Sequence, residues 1–296
     1  MAEALLDLGM ERARIVVGLK GGSVTHCSSI DGVVNHTALA QVMSKLPNAT
    51  FGDATDVVGW VRYVKSEEEI AFVRRSAAVA VAGVDELIKL ARPGVDAGVL
   101  YADVVARLLE LRSEYYPLAL TLDARSGLRP QRYTNPPIGK RLGNDTLITN
   151  EVNAVVGAQL TQVCQPILLG KMPDPWKPVI DLQQKVYEAG LELIKPGTTF
   201  GAVQEFVTSF GSKRNMKTSI RMQGCGYGDD GPLLDARFQG DHLTDLRIER
   251  GNAFIWKPIA MTADGGIQFS WGGPVLVTEQ GAETLFAHSH GMVSIC

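Results

Sequence analysis

The chain has 296 residues, 45% of them apolar and 21% charged, with a formal net charge of -3. That length allows a large core, and the balanced charge offers neither the basic surplus expected of a nucleic-acid binder nor an acidic tail. No apolar run reaches the roughly 20 residues needed to span a bilayer. The first ten residues carry Glu3 and Asp7 and lack the apolar stretch of a signal peptide. Cys27, Cys164, Cys225 and Cys296 are widely spaced and form no CxxC pair, which fits free thiols in a reducing compartment. The expectation is a cytoplasmic protein that binds neither membrane nor nucleic acid.

In chain order, residues 14–19 read as a buried strand ended by Gly21-Gly22, 37–45 as a short helix, and 49–56 as a strand and turn. Ser66 with Glu69 forms a capping-box pattern that opens a helix, carried on by Ile70, Val73, Ala77, Val81 and Val84. This helix stops before Pro93-Gly94. A second has Leu100, Val104, Leu108 and Leu111 on one face.

The segment 86–94, ELIKLARPG, is echoed at 192–197, ELIKPG. Each copy is followed by a helical segment, at 100–112 and 202–210. Each then leads to a β-rich region, near 146–169 and 253–278. The repeated order predicts a duplicated α+β architecture with approximate two-fold symmetry.

The helix start at 65–70, the stretch 146–170, the ELIKPG segment and the VLVTE run at 275–279 fall in an order that resembles the pita-bread family of methionine aminopeptidase, aminopeptidase P, prolidase and creatinase. The resemblance spans roughly 63–285. It implies a pita-bread domain over 65–296, preceded at 1–64 by a truncated α/β segment similar to the end of a creatinase-type N-terminal domain. It also implies a possible homodimer.

Metal-dependent relatives hold two divalent ions with two Asp, one His and two Glu, and the ions activate a bridging water. Carried over by position, these ligands fall at Glu151, Gln162, Gln223, Lys257 and Gly272. One carboxylate of the five survives and a cation stands among them, so no metal or other cofactor is expected.

Lys257 follows the apolar residues Phe254, Ile255 and Trp256 and needs a partner if buried. Glu151, at the equivalent position of the other half, is the natural one. Three roles stay open for Lys257: electrostatic stabiliser, base with a lowered pKa, or half of a neutral pair that fills the old cavity.

Asp229 and Asp230, after a Gly-rich loop, are further catalytic candidates, as base or as anchor for a cationic group. The alternative is an Asx turn. Gln162, Gln223, Tyr227, Arg132, Tyr133, Trp256 and Trp271 are candidate substrate contacts, with core packing as the plain alternative for the aromatic ones.

The Gly224, Gly226, Gly228 pattern opens no helix of a βαβ unit and is not a dinucleotide site. Cys225 has no flanking His to activate it. His288 and His290 lack acidic partners in the sequence around them and read as a surface tail.

Two functions of different class follow. One is a metal-independent hydrolase acting on a C–N bond of a small polar molecule, as creatinase does. The other is a non-catalytic relative that keeps its cleft for a ligand or a protein. The polar replacements Glu, Gln, Gln and Lys favour a working cleft, because unused buried polar groups are costly. A metal-dependent Xaa-Pro-type peptidase returns only under a different alignment of the ligand positions.

Overall fold

The computed structural model describes residues 1–18, 35–122, 139–212, 215–228, 230–235, 243–286 and 291–296. The Gly21-Gly22 turn predicted for the first strand lies outside them.

The chain opens with α1 (Ala2–Asp7), β1 (Arg14–Val17), α2 (His36–Lys45), β2 (Thr50–Asp53) and α3 (Thr55–Tyr63). β1 and β2 pair in parallel, Arg14 opposite Thr50. α2 is the helix expected at 37–45; α1 was not marked in the sequence, and α3 begins where only a strand and turn were expected, at 49–56. Its valines and Gly59 are poor helix formers. Its start is fixed instead by Asp53, whose carboxylate accepts from the Thr55 amide at 2.8 Å.

The predicted capping box is present. Ser66 Oγ accepts from the Glu69 amide at 3.2 Å, and the Glu69 carboxylate accepts from the Ser66 amide at 2.8 Å. It starts α4 (Glu67–Leu90), which packs against α5 (Ala97–Glu110) and on β4 (Leu147–Val156) and β5 (Gln159–Val163); β3 (Ala119–Leu122) and β6 (Ile167–Leu169) pair with β4. Then come α6 (Lys177–Leu191), α7 (Phe200–Phe210), β7 (Met216–Ser219), β8 (Arg221–Gly224), β9 (Leu233–Asp235), β10 (Ala253–Trp256), β11 (Ile259–Thr262), β12 (Gln268–Ser270), β13 (Gly273–Thr278), β14 (Gly281–Thr284) and β15 (Val293–Ile295).

The internal echo is a structural repeat. In the first half the Gly94 amide donates to the Leu142 carbonyl, and Arg141 donates to the Gly94 carbonyl at 2.7 Å. In the second half the Gly197 amide donates to the Ile248 carbonyl, and Arg247 donates to the Gly197 carbonyl at 2.7 Å. Each Pro-Gly stop is therefore tied to the strand approach of its own half, and each is followed by a side-chain N-cap, Asp96 or Thr199.

The halves join at their strands. Cys164 and Gly272 exchange both backbone hydrogen bonds, at 2.8 and 3.1 Å, which brings the end of β5 beside the entry to β13. The main core runs beneath both, with Val84, Leu87, Leu100, Ile148, Phe200 and Phe254 fully or almost fully buried. An apolar cavity of about 520 Å³ lies in the N-terminal unit, lined by Ile15, Val17, Leu39, Val42 and Phe51 among others. None of the candidate site residues lines it.

Candidate active site

β4 and β10 occupy the same place in the two halves, and each delivers one charged residue to the seam. On β10, alternation sends Phe254 and Trp256 to one face and Ile255 and Lys257 to the other. Lys257 ends the strand with its amide on the Arg221 carbonyl at 3.0 Å. Its ammonium donates to Glu151 Oε1 at 2.8 Å and also to Gln162 Oε1. Cys164 Sγ lies 4.0 Å away.

The network continues outward. Gln162 Nε2 donates to Asn153 Oδ1 at 3.0 Å, and Asn153 Nδ2 donates to the Pro117 carbonyl at 2.9 Å. Gln162 and Asn153 face each other across the β4–β5 ladder, so strand register itself sets this contact. The Lys257 side chain is only 4% exposed and that of Glu151 is 17% exposed, so the carboxylate is the more accessible end of the pair.

Burial opposes the charge on Lys257, while the Glu151 carboxylate favours it, as does the Cys164 sulfur once it is ionised at high pH. The balance holds the lysine above its ordinary value. Of the three roles left open for Lys257, this direction favours the electrostatic stabiliser or the neutral pair over a base with a lowered pKa. Burial, with the Glu151 charge adding to it, pushes the Cys164 thiol up to about 12 against the opposing pull of Lys257, so it is a neutral thiol near pH 7.

Arg221, on β8 beside Lys257, completes the group. Its Nε donates to the buried carboxylate of Asp235 at 3.0 Å. Gln223, the candidate two residues on, is buried on the same face of β8, opposite Ile255.

The other candidates are placed elsewhere. Asp230 is buried in an ion pair with Lys65 at 2.9 Å, with Arg62 at 3.7 Å, and its carboxylate also accepts the Tyr227 amide. Tyr227 is half exposed, with the Arg62 guanidinium 4.7 Å above its ring. These two fasten the Gly-rich turn to the α3–α4 junction.

Trp256 and Trp271 do not line the cleft. Strand alternation turns Trp256 into the core, where its indole donates to the Tyr187 carbonyl at 3.1 Å and packs over Gly190. Trp271 is buried in a second core cluster with Trp176 and Phe269. Arg132, Tyr133 and Asp229 lie outside the described residues.

Sequence reasoning passed over Arg221 and Lys65, and weighed Asn153 only under a shifted alignment of the ligand positions. Arg221 was findable as a strand neighbour of Gln223 at a spacing of two. Lys65 gave no signal beyond standing before the capping box.

The five positions carried over from metal-dependent relatives do not fit a pair of divalent ions. The Lys257 ammonium stands between the oxygens of Glu151 and Gln162 and takes their lone pairs. Among the described residues, no three His, Cys, Asp or Glu stand close enough to share a metal. At Gly272 the backbone itself excludes a ligand. Its φ is +151°, and a Cβ there would overlap the Trp256 carbonyl oxygen.

Residues 71–279 match the model of metallopeptidase family M24. The chain is 28% identical over 227 residues to an uncharacterized hydrolase/peptidase of Sinorhizobium fredii, covering 73% of this chain and 55% of that protein. It is 25% identical over 235 residues to creatinase of a Bacillus species, covering 76% of this chain and 56% of the relative. The chain thus spans less than two thirds of the length of either curated relative. The X-Pro aminopeptidase structure from Thermotoga maritima superposes with a TM-score of 0.79 at 17% identity, over 99% of this chain and 77% of the other. That likeness carries the pita-bread fold.

Proposed function

The chain belongs to metallopeptidase family M24, and from that premise we propose that it is a hydrolase acting on a C–N bond of a small polar molecule, with the Lys257–Glu151 pair in place of two metal ions. The observation that carries this reading is the ammonium itself, 2.8 Å from the surviving carboxylate at the seam of the two halves. Creatinase, among the relatives, bears the name of an enzyme of a small polar compound.

In this reading Glu151, the more exposed partner, takes a proton from a water that attacks the carbon of the C–N bond, and returns it to the leaving nitrogen as that bond breaks. Lys257 stays charged and stabilises the negative charge that develops on the substrate. Gln162 and Asn153 hold the pair in place. Gln223, beside Arg221 on the cleft face, is the remaining polar contact.

A second reading, a ligand-binding protein without turnover, is favoured by one observation. The Lys257 ammonium already directs its protons at Glu151, Gln162 and Cys164, so no proton of it is left over for a reacting atom. The decisive experiment uses protein stripped with a chelator, its metal content checked by elemental mass spectrometry. It is incubated with a panel of small amides, amidines and guanidines, and hydrolysis is followed by mass spectrometry. The hydrolase reading expects turnover that survives chelation and disappears in Glu151→Gln. No turnover on any compound leaves the binding reading, and turnover that requires added manganese or cobalt returns the metallopeptidase.

A further inference from the structure

Between β4, β8 and β12 lies a cavity of about 20 Å³, lined by Thr149, Asn150, Cys164, Arg221, Lys257 and Ser270 among others. One water-sized group needs roughly 10–15 Å³, so it admits a single oxygen and little else. Its walls are rich in donors. The Lys257 protons are directed at Glu151, Gln162 and Cys164, so this residue supplies charge. Asn150 is partly used: its amide donates to the Gln165 carbonyl and its oxygen accepts the Gln165 amide. Ser270 Oγ donates to the Lys257 carbonyl at 2.8 Å.

Two further donors remain. Arg221 uses its Nε for Asp235, and its two Nη groups carry no hydrogen bond to any described residue. Thr149 Oγ1 is buried and has no partner. A guanidinium held along one edge by a buried carboxylate is pre-oriented to grip an oxyanion with the other. A water would also need acceptors for its two protons, and this wall offers few. An acceptor-only guest suits it better.

We propose that this cavity is an anion subsite, in which Arg221 and Thr149 receive one oxygen of a carboxylate beside the Lys257 charge. The substrate or ligand of the cleft is then a carboxylate-bearing molecule whose remaining atoms extend outward. This deepens the hydrolase reading and rests on it for the word substrate; the binding claim stands by itself.

The test uses formate, the smallest carboxylate, with the whole chain. Thermal melting is followed against sodium formate at constant ionic strength, balanced with methanesulfonate. The wild type is expected to show a saturable rise in Tm. In Arg221→Gln the apparent affinity is expected to fall by about tenfold or more, the loss of a charge-assisted hydrogen bond. Thr149→Val keeps shape and charge and is expected to weaken formate severalfold while melting near the wild type without it, so the test survives if Arg221→Gln fails to fold. No saturable rise in the wild type, or an equal rise in all three proteins, overturns the subsite. Formate binding with no hydrolysis of any compound would sink the hydrolase reading alone. Hydrolysis without formate binding would sink the subsite alone.

Discussion

Glu151 and Lys257 stand at equivalent positions in the two halves of the fold, 106 residues apart, and meet in an ion pair of 2.8 Å. The same step separates Arg141 from Arg247, which make the same hydrogen bond to Gly94 and Gly197. The duplication thus delivers opposite charges to one point.

Removing one member of this pair strands the other. Lys257→Met is expected to destabilise the fold by about 3 kcal/mol, since breaking a buried pair leaves a desolvated charge. Lys257→Met with Glu151→Gln should recover much of that loss. Urea denaturation of the four proteins of the double-mutant cycle measures both, and strict additivity would mean the pair is not coupled.

The pair also fixes an alkaline limit. The folded-state pKa of Lys257 is raised above the ordinary 10.5. Its contribution to stability is therefore fully present below that value and is lost as pH rises through the folded pKa. Chemical denaturation between pH 8 and 12 should show wild-type stability falling above about pH 10.5 more steeply than that of the Lys257→Met, Glu151→Gln variant.

Gly272 is expected to be intolerant of any side chain. Gly272→Ala would drive a Cβ into the Trp256 carbonyl, and a cost above about 3 kcal/mol is predicted from overpacking and positive φ together. Gly197→Ala is the control: its φ is also positive, at +90°, but nothing lies within 4 Å of the new Cβ. It should cost only about 1 kcal/mol. Equal losses by thermal melting would refute the close-approach argument.

Asp230 is expected to act on stability through Lys65. Their side chains are 3% and 2% exposed. Lys65→Met should cost about 3 kcal/mol, and Asp230→Asn in the same background should give part of it back. If Asp230→Asn instead abolishes turnover in an otherwise stable protein, Asp230 belongs to the chemistry.

The thiols should differ sharply. Cys296 is exposed, whereas Cys164 and Cys225 are buried and Cys164 is pushed up to about 12. Brief maleimide treatment of native protein at pH 7.5, followed by peptide mapping, should modify Cys296 and leave the other two intact. Rapid labelling of Cys164 would show an open seam.

Much of this protein was legible in the sequence, because local chemistry wrote it there. The Ser66–Glu69 capping box, the two Pro-Gly stops and the order of helices and strands depend on neighbours close in the chain. The repeat alone pairs Lys257 with Glu151, since equivalent strands at the seam of a two-fold fold approach each other. Other features only the tertiary structure decided. Whether Trp256 faced the cleft depended on which side of β10 met α6. Whether Asp230 was free depended on Lys65, 165 residues away. The approach of Arg221 to Lys257 came from the β8–β10 register, and the closing of position 272 to any ligand came from the backbone of Trp256. These contacts join segments far apart in sequence, and packing, not local propensity, selects among them.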